Sequence, residues 1–167
     1  MADTAHGQAR HPVAEVYSKI PAYDEYGRDQ ISMFRAWNPD PIANHRANLK
    51  AIDPVLARIV VNAQAALPDL RFVIGSGWRD RAKQRQAVLW GWSLTRNTAH
   101  RSGRAVDLWP LDDRGHIVFD AALQNRIAAA MKTAASRAGV SISWGGHFRG
   151  YSRQDRSHFE INRLRRP

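Results

Sequence analysis

Two short clusters of histidine and aspartate stand far apart in this chain, and any fold that uses them together must bring them to one place. The first is Thr98-Ala99-His100-Arg101-Ser102-Gly103-Arg104-Ala105-Val106-Asp107, and the second is Asp155-Arg156-Ser157-His158-Phe159-Glu160. His100, Asp107 and His158 are candidate nitrogen and oxygen donors for one ion, and Asp155 is a further carboxylate beside them. A hydrolytic zinc site needs three protein ligands of this kind and one position left for water. It also needs a carboxylate able to take a proton from that water. The chain has no cysteine, which excludes disulfides and thiolate sites and leaves imidazole and carboxylate as the donors. Each residue alone has a plainer reading. An isolated loop histidine is ordinarily a surface residue, and Asp107 could be a hydrogen-bonded turn residue. His6, His11, His45 and His116 are read as structural or exposed.

A length of 167 residues and a hydrophobic fraction of 44% suit one globular domain with a short extension. The formal charge of +10 favours polyanionic partners: nucleic acid, anionic lipid or an anionic cell envelope. The basic residues are spread along the chain, so a solvated surface accounts for most of them. A basic nucleic-acid-binding protein is the alternative of another class, with Trp90, Trp92 and Tyr151 available to stack on bases. No segment carries a recognisable nucleic-acid motif, and that reading leaves the histidine and aspartate clusters unused. No apolar run approaches the roughly 20 residues of a membrane helix, and Met1 to Gly7 lacks the pattern of a secretory signal.

Residues 1–44 hold Pro12, Pro21, Pro39 and Pro41 among scattered aromatics (Tyr17, Tyr23, Tyr26, Phe34, Trp37). They are read as an N-terminal arm packing on a main domain of residues 45–167, with one short helix over 28–36 and a short basic tail at the C-terminus. Asp53-Pro54 marks a helix start. Leu56, Ile59, Val60, Ala63 and Leu67 then recur at helical steps until Pro68-Asp69. Arg71 to Gly75 is β-prone, and Ser76 to Asp80 turns the chain into a helix over 81–90. Gly91 to Asn97 is a loop. Residues 104–109 read as a strand stopped by Pro110, and 116–119 as its partner across the turn Asp112 to Gly115. Asp120 caps a helix that Gly139 closes, with Leu123, Ile127, Ala130, Met131 and Ala134 as its buried stripe. Residues 140–144 and 158–162 are the last two strands, joined through the loop Gly145 to Tyr151. This order predicts an α+β fold, a small, mainly antiparallel sheet with helices packed on it. Strand alternation puts Val106 and Leu108 in the core with Asp107 on the other face, and sets His158 and Glu160 together opposite Phe159 and Ile161.

The chain resembles the M15 zinc metallopeptidases, which comprise D-Ala-D-Ala carboxypeptidases (the VanY/DD-peptidase-like type) and the L-alanyl-D-glutamate endopeptidases of phages and bacilli. The resemblance covers roughly residues 45–162. Its elements are Asn48-Leu49, Asp53-Pro54-Val55-Leu56, Ser76-Gly77-Trp78-Arg79 with Gln84, and Thr98-x-His100-x-x-Gly103-x-Ala105-x-Asp107. Trp144-Gly145-Gly146-x-Phe148 and Asp155-x-x-His158-Phe159-Glu160 complete it. Thr98 stands where serine is common, and His147 where relatives often carry an acidic or amide residue.

What the resemblance implies is a Hedgehog/DD-peptidase-like fold and one Zn2+ per chain, held by His100, Asp107 and His158. It makes Asp155 the general base and Arg79 the residue that steadies the substrate carbonyl and the developing oxyanion. Gln84, Trp144 and His147 are its candidate substrate-binding residues. Aspartate at 155, where the carboxypeptidases usually have glutamate, points to cleavage of the L-alanyl-D-glutamate bond of the peptidoglycan stem peptide. D-Ala-D-Ala carboxypeptidase is the alternative within the family. The resemblance further implies a monomeric endolysin that is held in the host cytoplasm until a holin releases it to the periplasm and cell wall. There its charge would meet the anionic envelope, with no specific nucleic-acid partner.

Overall fold

The structure, a computed structural model, describes residues 27, 29–90, 92–93, 98–118, 120–147 and 155–162. Its helices are α1 (Gln30–Trp37), α2 (Pro41–Ala51), α3 (Pro54–Ala66), α4 (Arg81–Leu89) and α5 (Ala121–Arg137). Its strands are β1 (Phe72–Ser76), β2 (Ala105–Pro110), β3 (Ile142–Trp144) and β4 (His158–Ile161). They form one sheet in the order β1-β2-β4-β3, with every neighbouring pair antiparallel. The α+β class read from the sequence is the class observed.

Four helices begin on an aspartate whose carboxylate accepts backbone N–H bonds at the first turn: Asp40, Asp53, Asp80 and Asp120. Each satisfies a donor the helix leaves open and places negative charge at its positive end. The apolar stripes of α3 (Leu56, Ile59, Val60, Ala63) and α5 (Ile127, Ala128, Met131, Ala134, Ala135) pack together on one face of the sheet. That face presents Phe72, Ile74, Val106, Leu108, Phe159 and Ile161. All are buried, and burying such a side chain contributes about 1.5–3 kcal/mol.

The opposite face carries a second, largely aromatic cluster: Phe34 and Trp37 of α1 against Val73, Ala87, Trp109, Leu111 and Ile117, with Trp90 and Trp92 against it. Phe34 stacks on Trp92 at 4.4 Å and meets Trp109 edge-on at 5.0 Å. Trp90 and Trp92 are therefore packed against the core instead of standing free as a base-stacking platform. Tyr151, the third ring of that alternative, lies outside the described residues.

The hairpin expected between 104–109 and 116–119 is a correction. Among the described residues the two segments meet beyond that strand, at an antiparallel bridge between Leu111 and Ile117. Bonds from the Asp112 N–H to the His116 carbonyl (2.8 Å) and from the Val118 N–H to the Pro110 carbonyl (3.0 Å) flank it. Strand β2 takes β1 and β4 as its partners. Both pairings are long-range and bury β2 between two strands, which a four-residue turn partner could not do. A helix the sequence analysis missed, α2, runs through the expected boundary at 44/45. It covers the outer edge of β1 with polar groups. Asn44 Nδ2 donates to the carbonyls of Ile74 (3.2 Å) and Gly75 (3.1 Å), and the Ile74 N–H donates to His45 Nδ1 (3.0 Å). An edge strand's unpaired groups are thereby satisfied.

Candidate active site

Asp107 lies on β2, opposite Ser76 of β1 on one side and His158 of β4 on the other. The register slips between Ile74 and Ser76, so a bulge at Gly75 aims the chain from Ser76 to Arg79 toward Asp107. His100 arrives on a single 3-10 turn, Ala99–Ser102, closed by Gly103 in the left-handed region at φ 71°. A side chain at 103 would be strained there, so glycine is what lets the chain step from His100 into β2. The Arg79 N–H donates to the His100 carbonyl (3.1 Å), clasping the two segments together.

The three predicted donors converge. One ligand atom from each of His100, Asp107 and His158 lies within 4.8 Å of the others. Asp107 Oδ1 is 3.4 Å from His100 Nε2 and 3.2 Å from His158 Nδ1. The outer nitrogens are occupied: His100 Nδ1 is 2.8 Å from the Gly77 carbonyl, and His158 Nε2 is 2.9 Å from Glu160 Oε2. With a proton on each outer nitrogen, the inner nitrogens present lone pairs to a common point, as metal-ligating histidines do. The other oxygen of Asp107, Oδ2, accepts a bond from Arg79 Nη2 at 2.9 Å. Glu160, which the sequence analysis placed on the His158 face without a role, is thus the group that orients His158.

Burial alone would raise the Asp107 pKa, but His100, His158 and Arg79 together hold it well below the usual carboxylate range. Burial would lower His158, yet its bonds to Asp107 and Glu160 push it up to about 10. A cluster this hungry for positive charge at its centre fits a cation bound among the donors. Asp155 behaves oppositely. Burial and the neighbouring Asp107 charge raise its pKa, while Ser157 donates to Oδ1 through its N–H (3.1 Å) and its hydroxyl (2.7 Å). Two carboxylates pushed in opposite directions mark a division of labour, one staying ionised and one able to carry a proton.

Arg79 is 4% exposed and makes no pair with Asp80, whose carboxylate caps α4. Its Nε donates to Ser76 Oγ (2.8 Å) and its Nη1 to Gln84 Oε1 (3.3 Å). Gln84, 1% exposed, donates in turn to Ser93 Oγ (2.9 Å). Trp144 stacks near Phe159 and donates its indole N–H to the Arg156 carbonyl at 2.8 Å. His147 is exposed, with Nε2 2.6 Å from Lys132 Nζ and its ring edge-on to Trp144. Its described contacts are with these residues, not with the three donors. Gly145 and Gly146 follow from close approach: a side chain at 145 would strike the Asp155 carbonyl, and one at 146 the Trp144 indole.

A donor set of this kind on a small α+β domain equips it for hydrolysis, in the class of the metallopeptidases. Comparison with known families makes the class specific: the chain belongs to the phage L-alanyl-D-glutamate peptidases, whose family profile matches residues 42–164. A search of curated protein sequences returns no significant match. Among solved structures the chain is similar to the Serratia marcescens L-Ala D-Glu endopeptidase ChiX. The two share 29% identity with a TM-score of 0.63, and the match covers 71% of this chain and 86% of that one.

Proposed function

We propose that this chain is a zinc-dependent endopeptidase that hydrolyses the L-alanyl-D-glutamate bond of the peptidoglycan stem peptide. The observation that carries the zinc site is the convergence of His100, Asp107 and His158 with their outer nitrogens already bonded. The bond cleaved rests on the family and on the similarity to ChiX. Neither favours a D-Ala-D-Ala carboxypeptidase.

His100 Nε2, Asp107 Oδ1 and His158 Nδ1 would hold one zinc ion. Bound zinc supplies Lewis acidity, lowering the pKa of water toward ~7. Asp155 takes a proton from the attacking water as its oxygen adds to the alanyl carbonyl carbon. It returns that proton to the glutamyl nitrogen as the C–N bond breaks. The raised pKa of Asp155 suits a group that must hold the proton between these events. Arg79 holds Asp107 in place and, through the same charge, favours the developing oxyanion. Gln84 steadies the Arg79 guanidinium, and Trp144, bonded to the Arg156 carbonyl, walls the site.

The same proposal takes residues 45–167 as the peptidase domain and 1–44 as an arm whose end, at Phe34 and Trp37, packs on the second core. It takes the working unit as a monomer. The positive charge favours the anionic envelope. Among the described residues no helix is long and apolar enough to cross a membrane. Holding inside the host until a holin opens the membrane belongs to the proposal through the phage family. Mass spectrometry of peptidoglycan digested by zinc-loaded protein tests the reaction and the bond together. The expected fragments end in free L-alanine and begin with D-glutamate. Fragments ending in D-alanine, or an undigested wall, overturn the assignment.

A further inference from the structure

A cleft of about 280 Å³ lies between α4 and the turn that carries His100, lined among the described residues by Arg81, Gln84, Arg85 and Arg101. Arg81 and Arg85 are one turn apart on α4, and Arg101 directly follows His100. Arg101 Nη1 donates to the Arg79 carbonyl at 2.9 Å, and Gln84 bonds the Arg79 guanidinium. Two of the cleft's lining residues thus bond Arg79, the residue that holds Asp107. Among the described residues no carboxylate pairs with Arg81, Arg85 or Arg101. Like charges at this helical spacing repel, and Arg81 also stands at the positive end of the α4 dipole. Nothing in the packing of α4 calls for this arrangement, since Arg81 and Arg85 are exposed and its buried face is Gln84 and Ala87. An entering anion relieves the repulsion, and guanidinium groups grip a carboxylate through paired, charge-assisted bonds.

We propose that this cleft is a carboxylate-binding subsite that holds an acidic group on the amine side of the scissile bond. The inference rests on the peptidase reading above, whose leaving residue, D-glutamate, carries such a group. A carboxylate on the following residue of the stem is the second source of the same chemistry.

Three soluble peptides separate these sources: L-Ala-γ-D-Glu-L-Lys amide, L-Ala-D-isoglutamine-L-Lys amide, and L-Ala-D-isoglutamine followed by meso-diaminopimelate. Steady-state kinetics on zinc-loaded protein should give a KM about tenfold lower for the peptide carrying the recognised carboxylate than for the uncharged one, the effect of one charge-assisted contact. In the Arg81→Gln/Arg85→Gln double variant that preference should vanish through KM, with kcat changed less than about threefold. An Arg58→Gln/Arg137→Gln variant, which removes two exposed charges elsewhere, should keep it. Calorimetry of the same peptides on zinc-loaded Asp155→Asn protein reads binding without turnover. Cleavage with equal KM values in the wild type and the Arg81/Arg85 variant overturns the subsite and leaves the hydrolase standing. Arginine-dependent binding without wild-type cleavage supports the subsite and overturns the hydrolase. Peptides that neither bind nor react overturn both.

Discussion

Replacing Arg79 with methionine separates two roles for this guanidinium. It makes three directed bonds, to Ser76 Oγ, Gln84 Oε1 and Asp107 Oδ2, and is almost wholly buried. Methionine fills similar space but leaves Ser76 Oγ and Asp107 Oδ2 without this donor, leaves Gln84 Oε1 with Thr98 Oγ1 (3.4 Å), and removes the arginine charge from beside Asp107. Breaking a buried ion pair from one side costs about 3–5 kcal/mol, which urea unfolding of zinc-free protein would read directly. The second consequence concerns the donor cluster. Arg79 holds Oδ2, so that Oδ1 faces the two imidazoles. Without that hold the carboxylate is free to rotate, and loss of such an orienting group lowers metal affinity by about 10–100-fold. Competition with a chromophoric chelator measures this. Zinc affinity and turnover should fall together in Arg79→Met, with Arg79→Lys between it and the wild type. If the methionine variant binds zinc as the wild type does and loses turnover alone, the reasoning is refuted. The guanidinium would then serve the reacting carbonyl and not Asp107.

Removing a donor outright has a simpler expectation: His100→Ala or His158→Ala should abolish both zinc occupancy, read by elemental analysis, and wall lysis. Asp155→Asn keeps an acceptor for Ser157. It should therefore retain zinc while losing about 10²–10⁴-fold in turnover, and retained turnover would remove Asp155 as the base. Gly75→Ala should lower stability by about 1–3 kcal/mol in thermal unfolding, because its new methyl would lie inside the Trp109 indole. His45 adds a pH dependence. Burial lowers its pKa from 6.5 against the opposing contact with the Gln64 side chain, and its neutral ring accepts the Ile74 N–H at Nδ1. The unfolded chain therefore protonates it first as pH falls. The stability it contributes is complete above 6.5 and is lost below that value toward the folded pKa. The unfolding free energy of the wild type minus that of His45→Gln should shrink over that range, and a flat difference contradicts the assignment.

The parts of this molecule that were legible in its sequence are those where one residue type has one physical reason to be present. Asp53-Pro54 and Asp120 announce helix starts, and the stripes of α3 and α5 announce a buried face, because capping and burial act locally. Helix α2 was hidden because it docks by hydrogen bonds. Asn44 and His45 carry no apolar signal, and their part shows when the edge of β1 is laid against them. The hairpin was misjudged because periodicity tells which face a strand buries and not which strand lies beside it. That same limit governs the site. The pattern names His100, Asp107 and His158, but only the sheet order sets Asp107 between Ser76 and His158. From that position one carboxylate has two uses, Oδ1 toward the imidazoles and Oδ2 toward a buried arginine. Glu160 follows by the same logic. It stands two residues beyond His158, so it shares that residue's face of β4 and reaches its outer nitrogen. The orienting groups are thus consequences of strand pairing, and they become readable once β2 is known to lie between β1 and β4.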